Sequence, residues 1–223
     1  MRRKRTLILI LATLALILVL SLVTNGTFDL RLLVLTPKIL KYRGVIQQHA
    51  EKEALDAQLI CALIVQESGF DEKAKSAVGA LGLTQLMPTT AKELGVQDPF
   101  DANQSIAGAV RHLRTLYKAF PESPQEHRHR LVLASYNSGL GRVRDAQALV
   151  RYHDAGDPLL WEPVSIALTQ LAKQHASMHH GVWEGNKPPH GYFEGASETL
   201  AHVERVMRYY ARIRFYEELL FFL

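Results

Sequence analysis

Cysteine is almost missing from this chain: Cys61 is the only one in 223 residues. A single thiol excludes an intrachain disulfide and any metal site built from several cysteines. It lies in the run Leu59-Ile60-Cys61-Ala62-Leu63-Ile64-Val65, where a small buried apolar residue is expected rather than a nucleophile. No cysteine follows the N-terminal apolar segment, so lipid attachment there is not expected. Excess charge is missing too, once position is considered. The formal net charge is +4, but Arg2, Arg3, Lys4 and Arg5 account for it, and the other basic residues balance the 22 acidic ones. The basic character belongs to the N-terminus and not to the domain behind it. With no stripe of interleaved aromatic and basic side chains, nucleic acid is not an expected partner. Alternating strand patterns, internal repeats and low-complexity tracts are absent as well, which leaves a mostly α fold.

The one long apolar run is Leu7 to Val23, behind the four basic residues. It is at the short end for crossing a bilayer but longer than a usual signal-peptide core. The exit Ser21-Leu22-Val23-Thr24-Asn25 offers no clear small-x-small cleavage site. The expectation is a basic tail over 1–6, an uncleaved anchor over 7–24 and export of everything after it, since a basic flank stays cytoplasmic. A connector over 25–41 follows, in which Pro37 is expected to interrupt any continuous helix. Its Leu32, Leu33, Val34 and Leu35 fit either a packed linker or a stretch resting on the membrane surface. The remainder, 42–216, is long enough for one domain with a sizeable core, and 217–223 reads as an apolar tail.

Within the domain the pattern is helical. Asp56 is placed to cap a run over Ala57 to Gln66 that Gly69 would stop. Short or long helices are expected over Pro88 to Leu94, Asp101 to Phe120, from Leu131, over Pro163 to His179 and over Ser197 to Leu220. Glycines near 79 and 191 suit tight turns, where a short hairpin is expected.

Three segments carry chemistry. Glu67 ends an apolar helical run and is followed by Ser68-Gly69; a carboxyl emerging from apolar surroundings is costly to ionise and can keep a proton near neutral pH, as a general acid requires. The stretch Ser76 to Pro88 is punctuated by Gly79 and Gly82 and carries Gln85 and Met87. Ser135-Tyr136-Asn137-Ser138-Gly139 supplies a phenol and an amide beside a turn. Asp71, Glu72, Asp98 and Asp101 read as solvated or capping carboxylates. His175 and His179 stand four residues apart, but without a glutamate between them or another ligand set they read as surface histidines and no metal is expected.

The order Glu67-Ser68, then Ser76-x-x-Gly79-Ala80-x-Gly82-Leu83-x-Gln85-Leu86-Met87-Pro88-x-Thr90-Ala91, then Asn103, Ile106 and Gly108, then Ser135 to Gly139, resembles the soluble-lytic-transglycosylase family of peptidoglycan-cleaving enzymes. Later pieces, Trp161-x-x-Val164, Gly191-Tyr192-x-x-Gly195 and Glu198-Thr199-x-x-His202-Val203, are most similar to a membrane-bound branch of it. The resemblance implies a lysozyme-like α domain; no cofactor is expected, and the anchor with its basic flank would leave the domain facing the periplasm from the inner membrane. It implies cleavage of the β-1,4 bond between N-acetylmuramic acid and N-acetylglucosamine without water. Most glycosidases pair two carboxyls; the family uses one glutamate as acid and then base, while the muramic 6-hydroxyl attacks to give a 1,6-anhydro end. By that resemblance Glu67 is the acid and base. Ser68 holds Glu67 or the substrate, Gln85 and Met87 contact sugar, Tyr136 donates toward Glu67, Asn137 binds the substrate or the loop opposite, and Glu198 lines the cleft. A lysozyme-like hydrolase and a catalytically silent glycan-binding protein are the alternatives. Two departures stand out: Thr84 where the family commonly has methionine, and His202 where a tyrosine is common.

Overall fold

The computed structural model describes Thr13 and residues 29–221. The expected anchor over 7–24 therefore lies outside the described residues, Thr13 excepted, and among the described residues no helix is long and apolar enough to cross a membrane. Eight α-helices follow in order: α1 Leu30–Glu53, α2 Ala57–Glu67, α3 Pro88–Glu93, α4 Ala102–Lys118, α5 Gln125–Ser138, α6 Leu140–Tyr152, α7 Trp161–Gln170 and α8 Ala196–Phe221. Among the described residues there is no strand, only isolated antiparallel bridges pairing Lys75 with Leu81 and Leu81 with Leu86. The first of these bridges flanks the turn at Gly79, one of the two places where a short hairpin is expected.

Helix α2 is the axis of the domain. Leu59 to Val65 are seven consecutive buried residues, so this helix is apolar all round, which is stable only when it is surrounded. Helices α1 and α8 pack on it, and α5 packs on α8. Cys61 belongs to this core, and burial pushes its thiol up to about 12. Each buried Leu or Ile side chain stabilises the fold by about 1.5–3 kcal/mol; Leu63, fully buried, would cost about 2–5 kcal/mol if cut to alanine. Asp56 caps α2 as expected, its Oδ1 accepting from the N–H groups of Gln58 and Leu59, and Gly69 follows the helix at φ +58°.

Pro37 does not interrupt α1. The helix runs through it from Leu30 to Glu53. A proline ring leaves the carbonyl four residues back without its usual partner, and here that residue is Leu33, on the exposed side of the helix, where water can serve. The opposite side is held by burial of Leu32, Leu35, Tyr42, Ile46 and Ala50. The segment read as a connector is thus half core and half surface: Leu32 is 2% exposed, whereas Leu30, Leu33, Val34 and Leu40 are exposed, Val34 to 77%.

Four further differences are local. Helix α6 was not expected; its buried face includes Asp145 and Gln147 beside Val143, Ala146, Leu149 and Val150, so polar residues break the apolar rhythm. The expected helix over Pro163 to His179 is two elements, because Ala172 is extended between α7 and a 3₁₀ turn at Lys173–His179, and Phe193 N–H bonds the Leu171 carbonyl there. His179 is no surface histidine: it is fully buried, with Nε2 on the Gln170 carbonyl at 2.8 Å and its ring against Trp183 and Tyr192. At the chain's end α8 continues to Phe221, so residues 217–221 extend a helix.

Candidate active site

The helical run that ends at Glu67 delivers its carboxyl to the rim of a cleft of about 320 Å³. The opposite wall is the glycine-punctuated loop after it. That loop is folded by its own backbone, with Ser76 N–H on the Ala80 carbonyl, Leu81 N–H on Leu86 and Gly82 N–H on Ala74. Glycine is required at 82: φ is +73° and a Cβ would lie 1.9 Å from the Pro99 carbonyl oxygen. Gln85 also adopts a left-handed backbone, φ +50°, and its side-chain amide donates to the Gly82 carbonyl at 2.9 Å and that of Ala74 at 3.3 Å.

Of the expected residues, Glu67, Gln85, Met87, Tyr136, Asn137 and Glu198 all line this cleft. Ser68 does not. Its hydroxyl donates to the Leu83 carbonyl at 2.7 Å and accepts from Asp71 N–H, so it ties the loop to the end of α2 and is not bonded to Glu67. Tyr136 also differs from expectation: its phenol donates to the Thr84 carbonyl at 2.8 Å, not to Glu67. Burial, and then the charge of Glu67, raise its pKa well above the ordinary phenol value, so it stays a donor. Thr84 is itself fully buried and its hydroxyl meets Ser105 Oγ at 2.9 Å. The loop is thereby pinned at consecutive carbonyls, 83 and 84, by Ser68 and Tyr136.

Met87 is 43% exposed at the cleft, which places its thioether on the surface a sugar would meet and not in the core. Asn137 Oδ1 accepts from the Thr199 hydroxyl at 2.7 Å, leaving its amide nitrogen as the group offered to the cleft. Glu198 is exposed in the first turn of α8, where the partial positive charge of a helix start favours a carboxylate.

Two lining residues, His112 and Arg205, were not singled out in the sequence, and a third, His202, stood out only as a departure from the family pattern. His112, on α4, packs its ring 5.3 Å from that of Tyr136, and burial lowers its pKa, which favours the neutral ring. Arg205 donates through Nε to Gln66 Oε1 at 3.1 Å. His202 is the partner that Tyr136 is not: its Nε2 lies 2.9 Å from Glu67 Oε1, with side chains 4% and 13% exposed respectively. A departure from the family pattern thus contacts the expected acid directly. Its spacing, four residues after Glu198, was the available signal. Among the described residues no group of three or more His, Cys, Asp or Glu side chains is arranged to hold a metal.

Known proteins are similar to this chain. A membrane-bound lytic murein transglycosylase F from Desulfosudis oleivorans is 36% identical over 174 residues, covering 76% of this chain and 36% of that protein. One of the same name from Saccharophagus degradans is 36% identical over 184 residues, covering 82% and 35%. The chain thus spans about a third of the length of these relatives. The 70 kDa soluble lytic transglycosylase of Escherichia coli superposes with a TM-score of 0.53 at 22% identity, covering 79% of this chain and 24% of that one, a likeness of fold. The description "Transglycosylase SLT domain" matches residues 44–156, a span that holds Glu67, the loop pinned by Ser68 and Tyr136, and Asn137; the chain belongs to the SLT transglycosylase family.

Proposed function

We propose that the protein is a peptidoglycan lytic transglycosylase, with a lysozyme-like α domain that breaks the β-1,4 bond between N-acetylmuramic acid and N-acetylglucosamine. The observation that carries this reading is Glu67: a largely buried carboxyl at the rim of a polar cleft, hydrogen-bonded to His202 through Oε1, which leaves Oε2 for a substrate. In its acid form Glu67 protonates the departing glycosidic oxygen as the C1–O4 bond breaks. The resulting carboxylate then takes the proton of the muramic 6-hydroxyl as its oxygen attacks C1. Proton gain and loss at Glu67 cancel, and no water enters. Positioned acid–base catalysis of this kind contributes about 10²–10⁴-fold. Asn137 and Met87 offer an amide donor and an apolar face to the sugars, and the amide of Gln85 holds the loop in the shape that presents Met87.

The substrate proposal is supported by the names of the relatives. Attachment to the inner membrane through 7–24, with the domain in the periplasm, is supported by the Arg2 to Arg5 flank and the apolar run behind it, and by relatives that are named membrane-bound. The exposed apolar stripe of α1, Leu30, Leu33, Val34 and Leu40, suits the same surface.

Mass spectrometry of a purified-peptidoglycan digest tests the reaction. Products lacking one water, with 1,6-anhydro ends, are expected. Products that carry the extra water would make the enzyme a hydrolase, with Glu198 as the candidate second carboxyl, and glycan binding without any shortening would make it a binding protein.

A further inference from the structure

One face of α8 runs along the cleft, and its charge is uneven. Glu198, His202 and Arg205 all line the cleft, at the i, i+4, i+7 spacing that puts side chains in one row. His202 is bonded to Glu67, so the carboxyl faces the middle of that row, with a carboxylate toward one end and a guanidinium toward the other. Seven residues of helix set those ends about 10 Å apart. Among the described residues that line the cleft, Arg205 is the only lysine or arginine. It is half-buried, and its Nε donates to Gln66 Oε1 at 3.1 Å, so the group is steadied by the side chain next to Glu67. Among the described residues its two terminal nitrogens have no hydrogen-bond partner. A planar guanidinium held from behind, with both outer nitrogens free, is built to take a carboxylate through two parallel N–H···O bonds.

We infer that Arg205 clamps a carboxylate on the lactyl branch of N-acetylmuramic acid, and so favours the register in which the muramic C1, and not that of N-acetylglucosamine, meets Glu67. This rests on the transglycosylase reading above. A glycan strand alternates two sugars with the same acetamido group and similar ring faces, so an apolar face at Met87 and an amide at Asn137 do not tell them apart. Only muramic acid carries the lactyl branch. Where the strand bears no peptide the branch ends in a carboxylate; where it bears one, the branch continues into a peptide with carboxylates of its own. A strand shifted by one sugar would present the N-acetylglucosamine C1 to Glu67 and leave Arg205 facing a hydroxyl, while Glu198 repels an anionic branch at the other end of the row. Discrimination is a difference between two bound registers, and the two charges of α8 act on that difference with the same sign.

Binding separates this role from a structural one. The full chain is used in detergent micelles, with Glu67→Gln as a common background so that no strand is cut. Arg205→Ala should then weaken binding of branch-bearing strands by about tenfold or more, and leave binding of an N-acetylglucosamine oligomer, which has no branch, unchanged. Arg205→Lys keeps a charge without the planar fork and should recover part of the loss. Two preparations of the strand identify the carboxylate: a loss greatest on strands stripped of peptide assigns the lactyl group itself, and a loss confined to strands that keep their peptides assigns a peptide carboxylate. Equal loss on the branchless oligomer, or no loss on either branched strand, would overturn the clamp. In the active chain kcat/KM for branched strands should fall by the same factor, with kcat lowered as well, because strands bound out of register occupy the cleft without reacting. A fall through KM alone would overturn the register role. Products that carry an extra water, with the binding contrast intact, would correct the reaction and leave the clamp standing; anhydro products from the active chain, with the contrast absent, would do the reverse.

Discussion

The two ends of helix α2 each present a carboxylate to α8, and they are built in opposite ways. At the start, Asp56 is saturated. One oxygen caps two backbone N–H groups, and the other accepts the Tyr210 phenol at 2.5 Å. Behind that phenol lie the rings of His129 and Tyr117, themselves hydrogen-bonded at 2.5 Å. At the finish, eleven residues on, Glu67 has one partner, His202, whose far nitrogen has none. Both carboxylates sit between the same pair of helices. The saturated one holds the helices in register; the unsaturated one keeps an oxygen available. Stability and chemistry are thus separated along one helix, and substitutions at its two ends should fail differently.

The largest effect expected is on rate. Glu67→Gln should cut anhydro-product release by about 10²–10⁴-fold or more, with a helical circular-dichroism spectrum and melting temperature close to the parent. Near-parent release from a folded variant would remove Glu67 from the chemistry. A chain begun at Ile39 tests what joins the two ends. It loses the buried Leu32 and Leu35 and the Arg31 bond to the Val65 carbonyl at 3.1 Å, two residues short of Glu67. A stability loss of about 3–6 kcal/mol in denaturant unfolding is expected, although a reading of the sequence alone would begin the domain after that point.

Asp56→Ala should then cost about 2–4 kcal/mol, combining a lost cap with a buried phenol left unpaired. The rate per folded molecule should hardly change, measured well below the melting temperature. Equal loss of rate in Asp56→Ala and Glu67→Gln would erase the contrast. Alkali provides a milder probe of the same end. Burial, and then the bond to Asp56, push the Tyr210 phenol up to about 12, above its ordinary value of about 10. Its contribution to stability is therefore complete below pH ~10 and is lost as pH rises toward ~12. Melting temperatures should fall across that window, and Tyr210→Phe should flatten the fall. The smallest effect belongs to Met87→Ala: a rise in KM of less than about tenfold with kcat unchanged, since the side chain offers only an apolar face.

What the sequence made legible was whatever local rules fix. Asp56 as a cap, Gly69 as a stop, and Glu67, Gln85, Met87, Tyr136, Asn137 and Glu198 as a cleft could be placed in advance, because capping, periodicity and the family motif each act over a few residues. The misses concern long-range partners. Ser68 is expected to hold Glu67 or the substrate and Tyr136 to donate toward Glu67, yet each is spent on a loop carbonyl 15 or 52 residues away, and nothing local distinguishes a hydroxyl that touches a catalytic group from one that supports its loop. His202 contacts Glu67 across 135 residues. Helix α6 was hidden by its own buried Asp145, which makes sense only once His190 is seen donating to it through its backbone N–H. Pro37 misled for the reverse reason: a local rule was outweighed by the burial of one side of α1.

Arg31 ties the start of α1 to the helix end that carries Glu67. Six residues separate Val23 from Leu30, a path of at most about 25 Å however it is arranged, and Arg31 then grips the helix end that carries Glu67. Tethered through the segment over 7–24, the cleft would sit on a short leash beside its point of attachment and not at the far pole of the domain. Such an enzyme would work on the glycan layer nearest the bilayer, and lengthening the leash by inserting residues after Asn25 would extend its range into the wall without altering the site.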